Sequence, residues 1–378
     1  MRAPYEVADV LRAHWSHVEK HPQINSWQLR TLGALLRCRT AALGGHLDAC
    51  TSCGTTRISY NSCRNRHCPK CQGKNREEWI QKRDAELLPV PYFHVVFTLP
   101  SELNQLAMHR PREIYNSLFE SAWETLKTFG YDPKHLGAQT GMIAILHTWG
   151  QQLTLHPHLH CIIPGGGLTK SGKWKNARSK GKFLFPVKAL SLVFRAKYTE
   201  RLKEKVPDVN KELVDTLFKK KWVVYAKRPF GHPRAVLEYL GRYTHKVAIS
   251  NHRIKSIEDG RVSFDYKDYR QAAKKQEMSL PGMEFIRRFS LHILPRGFVR
   301  IRHYGILSST SKKVTIPEIT MQLKHRPRQV KEPRKLLSYN PKTCPCCKRE
   351  TMVTLEIIPK RGPPHQQIVP QQKSTVFH

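Results

Sequence analysis

The chain has 378 residues, with 65 Lys and Arg against 29 Asp and Glu, a net charge of +36 and a pI near 10.1. An excess that large points to a polyanionic partner, most simply nucleic acid, and argues against an ordinary soluble domain with a balanced surface. No run approaches the ~18 consecutive apolar residues of a membrane span, and residues 1–10 lack an apolar signal core, so the chain is expected to stay in the cytosol.

Three regions follow from composition: a helical and cysteine-rich region over 1–85, a larger region over 90–305, and a basic, Pro-rich tail over 306–378 whose last twenty or so residues read as disordered. Ten cysteines in a reducing compartment are better metal ligands or free thiols than disulfides, and six of them fall between Cys38 and Cys71. Residues 1–37 carry apolar side chains at helical spacing (Val7, Val10 and Leu11, then Leu29, Leu32, Leu35 and Leu36), which predicts two helices broken near His21-Pro22. Cys50-x-x-Cys53 and Cys68-x-x-Cys71, fourteen residues apart, then read as two knuckles offering four thiolates to one Zn2+. Cys38 and Cys63, with His46 and His67, are left over and could form a second zinc site or simply pack. Arg64 and Arg66 lie between the knuckles and Lys70 within the second, where a zinc-stiffened loop would offer them to a DNA backbone.

Residues 92–99 alternate and stop at Pro100, which predicts a strand, and residues 103–129 read as helix. Residues 142–147 form a second apolar strand ending in His147, and His158-Leu159-His160 opens a third. Histidines at i and i+2 of a strand project from one face, an arrangement suited to a divalent ion, and an antiparallel return through 148–157 would bring His147 to the pair. The bland alternative is that these histidines only satisfy local hydrogen bonds. The Pro164-Gly165-Gly166-Gly167 turn lacks the helix and Lys-Ser/Thr of a phosphate loop. From 170 to 188 there are seven Lys or Arg and no acid, among them Lys173, Lys175, Arg178 and Lys180, with Trp174, Phe183 and Phe185 interleaved. That pattern suits a single-strand groove, or a solvated hairpin whose aromatics pack inward.

Further helix is expected over 190–217, strand over 222–226 and helix over 233–245. The last carries Tyr239 and Tyr243, two phenols on one helical face. Strands over 247–250 and 261–266 around Asp259-Gly260, and a helix over 284–293, complete the region. In the tail, Cys344-Pro-Cys346-Cys347 is a knuckle without an evident partner. A tyrosine pair alone is more often aromatic packing. Beside a histidine pair and a basic stretch, it fits a nuclease whose nucleophile is a side chain rather than water.

These stretches resemble the rolling-circle insertion-sequence transposases of the HUH endonuclease superfamily, specifically the two-tyrosine family named after insertion sequence ninety-one. The likeness runs from about Arg37 to Leu307, through Tyr60-Asn-Ser-Cys-Arg-Asn-Arg-His-Cys-Pro-Lys-Cys71, His94-Val-Val-Phe-Thr-Leu-Pro100, His156-Pro-His-Leu-His160, Tyr239-Leu-Gly-Arg-Tyr-Thr-His245 and Leu294-Pro-Arg-Gly-Phe-Val-Arg-Ile-Arg-His-Tyr304. It implies an α+β fold, an antiparallel sheet flanked by helices and preceded by a small zinc-binding, DNA-binding domain. It also implies Mg2+ or Mn2+ on His158 and His160, nucleophiles Tyr239 and Tyr243, and a third ligand, for which His147 stands in the relaxase position while Gln151 and His156 are rivals. The implied partner is single-stranded or hairpin DNA at transposon ends in a bacterial nucleoid, with host replication or helicase factors opening the duplex. The same chemistry would serve a plasmid replication initiator or relaxase, and a zinc-ribbon regulator without activity is the reading from another class.

Overall fold

Two helices, α1 (Val7–Glu19) and α2 (Ser26–Leu36), begin the chain, each opened by a reciprocal cap. The Asn25 side chain accepts the Gln28 amide while the Gln28 side chain accepts the Asn25 amide, both at 2.9 Å, an arrangement whose loss costs about 1 kcal/mol. Their apolar faces bury Val10, Leu11, Leu32 and Leu35. The molecule is a computed structural model that describes residues 3–72, 80, 86–177, 184–227, 230, 235–236, 241, 247–323 and 340–360.

A short hairpin of β1 (Gly45–Cys50) and β2 (Thr56–Tyr60) precedes the expected strand, β3 (Tyr92–Thr98). The helix expected over 103–129 is two, α3 (Asn104–His109) and α4 (Pro111–Tyr131), because Pro111 has no N–H to give the preceding turn and sits instead at the first position of a new helix. Strands β4 (Gly141–Trp149) and β5 (Leu155–Pro164) follow, then a small hairpin of β6 (Gly166–Leu168) and β7 (Trp174–Asn176). The glycine run there serves close approach: a Cβ on Gly167 would stand 2.4 Å from the Gln139 carbonyl oxygen. Helices α5 (Val187–Lys205) and α6 (Lys211–Lys219) lead to β8 (Val224–Lys227).

No strand forms over 247–250. The hairpin at Asp259-Gly260 joins β9 (Ile254–Glu258) to β10 (Arg261–Asp268), because both turn residues are left-handed and so draw the residues immediately before them into pairing. Strand β11 (Lys274–Pro281), helix α7 (Gly282–Ser290), strand β12 (Ile301–Gly305), helix α8 (Lys312–Gln322) and strand β13 (Met352–Ile358) finish the described chain. Residues 340–360 are therefore not a free tail: β13 pairs antiparallel with β1, giving a sheet ordered β13-β1-β2. Residues 361–378, expected to be disordered, lie outside the described residues.

The central sheet runs β12-β4-β5-β3-β8, with every neighbour antiparallel. Its alternation decides which side chains share a face. Val95 and Phe97, Met142, Ala144 and Leu146, and Leu159, Cys161 and Ile163 face the helices and are buried with Ile114, Leu118, Phe194 and Tyr198 of α4 and α5. The opposite face carries Tyr92, Ile143, Ile145 and Ile162, buried with Val236, Ile306, Leu307 and Ile319. A third core joins α1 and α2 to Phe264, Phe285 and Phe289 and to the buried Leu153. No helix among the described residues is long and apolar enough to cross a membrane.

Candidate active site and metal centres

On the second face of the central sheet, the register sets His147 opposite His158 and Ile145 opposite His160. The three imidazoles therefore share a face, and their ligand nitrogens all lie within 4.8 Å of one another, with His147 and His160 buried and His158 partly open. Neighbouring groups set the rings. The His158 Nδ1–H donates to the His156 carbonyl at 2.7 Å; since a carbonyl can only accept, a neutral His158 carries its lone pair on Nε2. His160 Nδ1 lies 2.9 Å from Nε2 of the buried His94 on β3, the two rings stacked at 12°. Of the rival third ligands, Gln151 donates its amide to the Tyr269 hydroxyl at 3.4 Å, and His156 stands outside the three-histidine group.

The hairpin between β4 and β5 is held from the far side. Leu153 adopts a left-handed φ of 60° and is fully buried in the core of α1 and α2, while Arg253 and Arg288 donate to the carbonyls of Gln151 and Gln152. His292, also buried, donates Nε2–H to the Leu153 carbonyl at 3.1 Å and accepts from the Thr148 hydroxyl at 3.2 Å. Burial brings it down to about 4, so it is neutral at physiological pH. Trp149 stacks on His147 at 4.6 Å, and the Arg300 guanidinium sits 5.9 Å from the Trp149 ring. Burial, with Arg66 nearby, lowers Arg300 to about 10, which still leaves a full positive charge beside Trp149.

The cysteines do not group as their spacing along the chain predicts. Cys50 and Cys53 do not share a centre with Cys68 and Cys71: one four-thiol group is Cys38, Cys63, Cys68 and Cys71, and a second is Cys50, Cys53, Cys344 and Cys347. The reason is packing. α2 delivers Cys38 onto the 63–71 loop, with its sulphur 3.5 Å from that of Cys71, whereas Cys50 ends a strand that pairs with β13. In the first group, hydrogen bonds with Cys63 and Cys68 lower Cys38 to about 7, and bonds with Cys38, Cys63 and Cys68 hold Cys71 far below the ordinary thiol range. Hydrogen bonds with Cys38, Cys63 and Cys71 push Cys68 up, so the cluster shares protons that a cation would displace. His67 is buried and outside both groups, and desolvation, with Arg66, Arg300 and His292 nearby, keeps it neutral.

The basic residues divide. Arg64 is exposed, but Arg66 donates to the carbonyls of Phe298 (2.5 Å) and Pro295 (3.1 Å), and Lys70 pairs with Glu6 at 2.5 Å while donating to the Cys38 carbonyl. Both are spent on holding the cysteine loop to its neighbours rather than displayed to DNA. Lys173 is exposed and Lys175 half-buried; Arg178, Lys180 and Phe183 lie outside the described residues. Phe185 is buried in the main core and Trp174 packs partly into another, so neither is offered for base stacking. Tyr239 and Tyr243 also lie outside the described residues, as does most of the helix expected over 233–245. The described Val236, three residues before Tyr239, is buried in the core on the histidine face.

Sequence reasoning passed over His94 as a partner of the histidines, although it lies in a motif strand; its parity on β3 matches that of His158 and His160 on β5, but only register shows it. Tyr225 is likewise on that face, exposed on the edge strand β8 opposite Val96.

Two family models match the chain: a transposase family, Y2_Tnp, over residues 141–314, and the transposase zinc-binding domain of the IS91 type over residues 10–99. The transposase y4qJ of Sinorhizobium fredii is 43% identical over 392 residues, covering 96% of this chain and 98% of that protein. The transposase for insertion sequence element IS801 of Pseudomonas savastanoi pv. phaseolicola is 28% identical, over 82% of this chain and 77% of that one. A conjugative relaxase, TrwC in complex with oriT DNA, overlaps 40% of this chain and 71% of its own at 12% identity and a TM-score of 0.26, too slight to bear on the assignment. An identity sustained from end to end, together with a zinc-binding match in front of a transposase match, settles the kinship: the chain belongs to the HUH transposases of the IS91 family, with an N-terminal zinc-binding domain.

Proposed function

We propose that this transposase cuts single-stranded DNA at transposon ends by passing the phosphate to a tyrosine, with Tyr239 and Tyr243 as nucleophiles and a divalent ion, Mg2+ or Mn2+, held by His147, His158 and His160. The observation that carries the reading is the convergence of three imidazole nitrogens within 4.8 Å on one sheet face. The donor set fits such an ion: His158 is held in the tautomer that leaves Nε2 as its ligand atom, and His160 has Nδ1 engaged by His94. For His160 to ligate through Nε2 its proton must sit on Nδ1 and be donated to His94, so His94 acts as a positioning residue. When bound, the ion would polarise the scissile phosphate and offset charge on the departing 3′ oxygen.

In the chemical step the phenol oxygen attacks phosphorus as the P–O3′ bond breaks. The phenol loses its proton, the 3′ oxygen gains one, and the products are a 5′-phosphotyrosine and a free 3′ hydroxyl. Because the ester energy stays in the new bond, a 3′ hydroxyl can attack it later and rejoin strands, which suits rolling-circle transfer. A second tyrosine lets a second strand be cut while the first is held. Val236, three residues before Tyr239, is buried on the histidine face, in keeping with this reading. Cys38, Cys63, Cys68 and Cys71 hold Zn2+, and the bacterial cytoplasm, where thiols stay reduced, is the setting that suits them.

The test incubates the protein with Mn2+ and a labelled single-stranded oligonucleotide from its own element's end, followed by a denaturing gel. A protein-linked label is expected, absent in the double variant Tyr239→Phe/Tyr243→Phe, retained in Tyr225→Phe, and reduced about 1,000-fold in His158→Ala. Label persisting without both tyrosines, or cut ends free of protein, overturns the tyrosine route; activity untouched by His158→Ala overturns the metal site.

A further inference from the structure

The match to the zinc-binding domain ends at residue 99, yet half of one four-thiol group comes from the other end of the chain. Cys50 closes β1 and Cys53 lies in the turn after it, while Cys344 and Cys347 lie in the turn before β13. Pairing Cys50 opposite Met352 lays one turn against the other, with Cys50 Sγ 3.6 Å from Cys347 Sγ and Cys53 Sγ 3.6 Å from Cys344 Sγ. We infer that Cys50, Cys53, Cys344 and Cys347 form a second Zn2+ centre, which clasps the C-terminal strand into the N-terminal sheet.

Two features separate this group from four thiols that merely meet. The Cys344 sulphur accepts the backbone N–H of Cys346 at 3.4 Å, and the backbone N–H groups of Cys53 and Ser52, of Thr55 and of Arg349 lower the thiols of Cys50, Cys53 and Cys347 respectively. Backbone N–H groups near the sulphurs favour thiolates, and thiolates are what zinc takes. The two turns also share a backbone: the residue after each second cysteine is left-handed, Gly54 at φ 72° and Lys348 at φ 61°. Lysine adopts that conformation only against strain, so the second knuckle is held in the shape that glycine allows the first. Cys346, though in the same short run, is exposed and outside the group.

The centre closes most of the chain into one loop, and beyond its ladder with β1 and the buried Met352 the strand β13 contributes little apolar packing: Val353, Leu355 and Ile357 are 45%, 62% and 79% exposed. It is also the more open of the two centres. Cys53 is exposed and Cys347 half-buried, whereas Cys38, Cys68 and Cys71 are all buried, so the clasp gives up its ion first.

The experiment measures zinc in the purified full-length protein by elemental analysis and follows its release to a chromogenic chelator. Two ions per chain leaving in two phases are expected. The double variant Cys344→Ser/Cys347→Ser should keep one ion and lose the fast phase, and Cys346→Ser should keep both. Should the double variant misfold, alkylation of the native protein during chelation gives the same answer by mass spectrometry: Cys50, Cys53, Cys344 and Cys347 become labelled together, before Cys38, Cys63, Cys68 and Cys71. One ion in the native protein, two in the double variant, or prompt labelling of Cys344 and Cys347 in the zinc-loaded protein would each overturn the assignment.

Discussion

The histidine centre and the cysteine centres are assembled in opposite ways. His147, His158 and His160 come from adjacent strands joined by a short hairpin, so backbone pairing alone places them on one face before any ion arrives. The cysteines are drawn from a helix end, a strand end, loops and the C-terminal segment; only Cys50 lies on a backbone ladder, and the other sulphurs are brought in by turns and packing. Prearranged ligands suit an ion that works and exchanges, while ligands gathered from afar suit an ion that is part of the fold.

Removing a ligand should expose that difference most strongly at the buried thiols. Cys68→Ser is expected to lower the melting temperature by more than about 10 °C, given the roughly 10 kcal/mol or more that a structural zinc supplies. Strand cleavage should fall with it, because Cys38, Cys68 and Cys71 share a core with Leu153, the anchor of the histidine hairpin. Calorimetry with and without zinc checks this, and an unchanged melting curve would place the two centres on the same footing.

Acid should act on both regions, and His292 separates them. Its folded value of about 4 lies below the ordinary histidine value of about 6.5, so the unfolded chain takes up a proton that the folded one refuses. Stability therefore drops as pH falls from about 6.5 to about 4, by up to about 3 kcal/mol. Urea unfolding at pH 7 and pH 4.5 should show that drop shrinking in His292→Gln, with the pH of zinc release unmoved. If the two proteins lose the same stability, His292 has no part in it.

The smallest effect is expected next to the histidines. His94→Ala should weaken Mn2+ binding by roughly 10- to 100-fold while leaving zinc content alone, and His94→Gln should restore part of the affinity through its amide oxygen. Titration calorimetry reads it directly. An unchanged dissociation constant would mean that the His94–His160 hydrogen bond is packing and nothing more.

Much of this molecule is local and therefore legible along the chain. The period of two in a strand puts His158 and His160 on one side, the capping pairs of α1 and α2 start helices where apolar spacing begins, and each Cys-x-x-Cys brings its own two sulphurs together. What no local pattern contains is the choice of partner. Cys50 and Cys53 stand nearest Cys68 and Cys71 in sequence but meet Cys344 and Cys347, because the register of β1 against β13 decides it. Arg66 and Lys70 read as DNA contacts until carbonyls and Glu6 claim them, and Phe185 reads as a stacking platform until the main core buries it. A residue's period and charge belong to its own segment; its burial and its hydrogen-bond partners belong to whatever the fold brings alongside, and that was settled only in three dimensions.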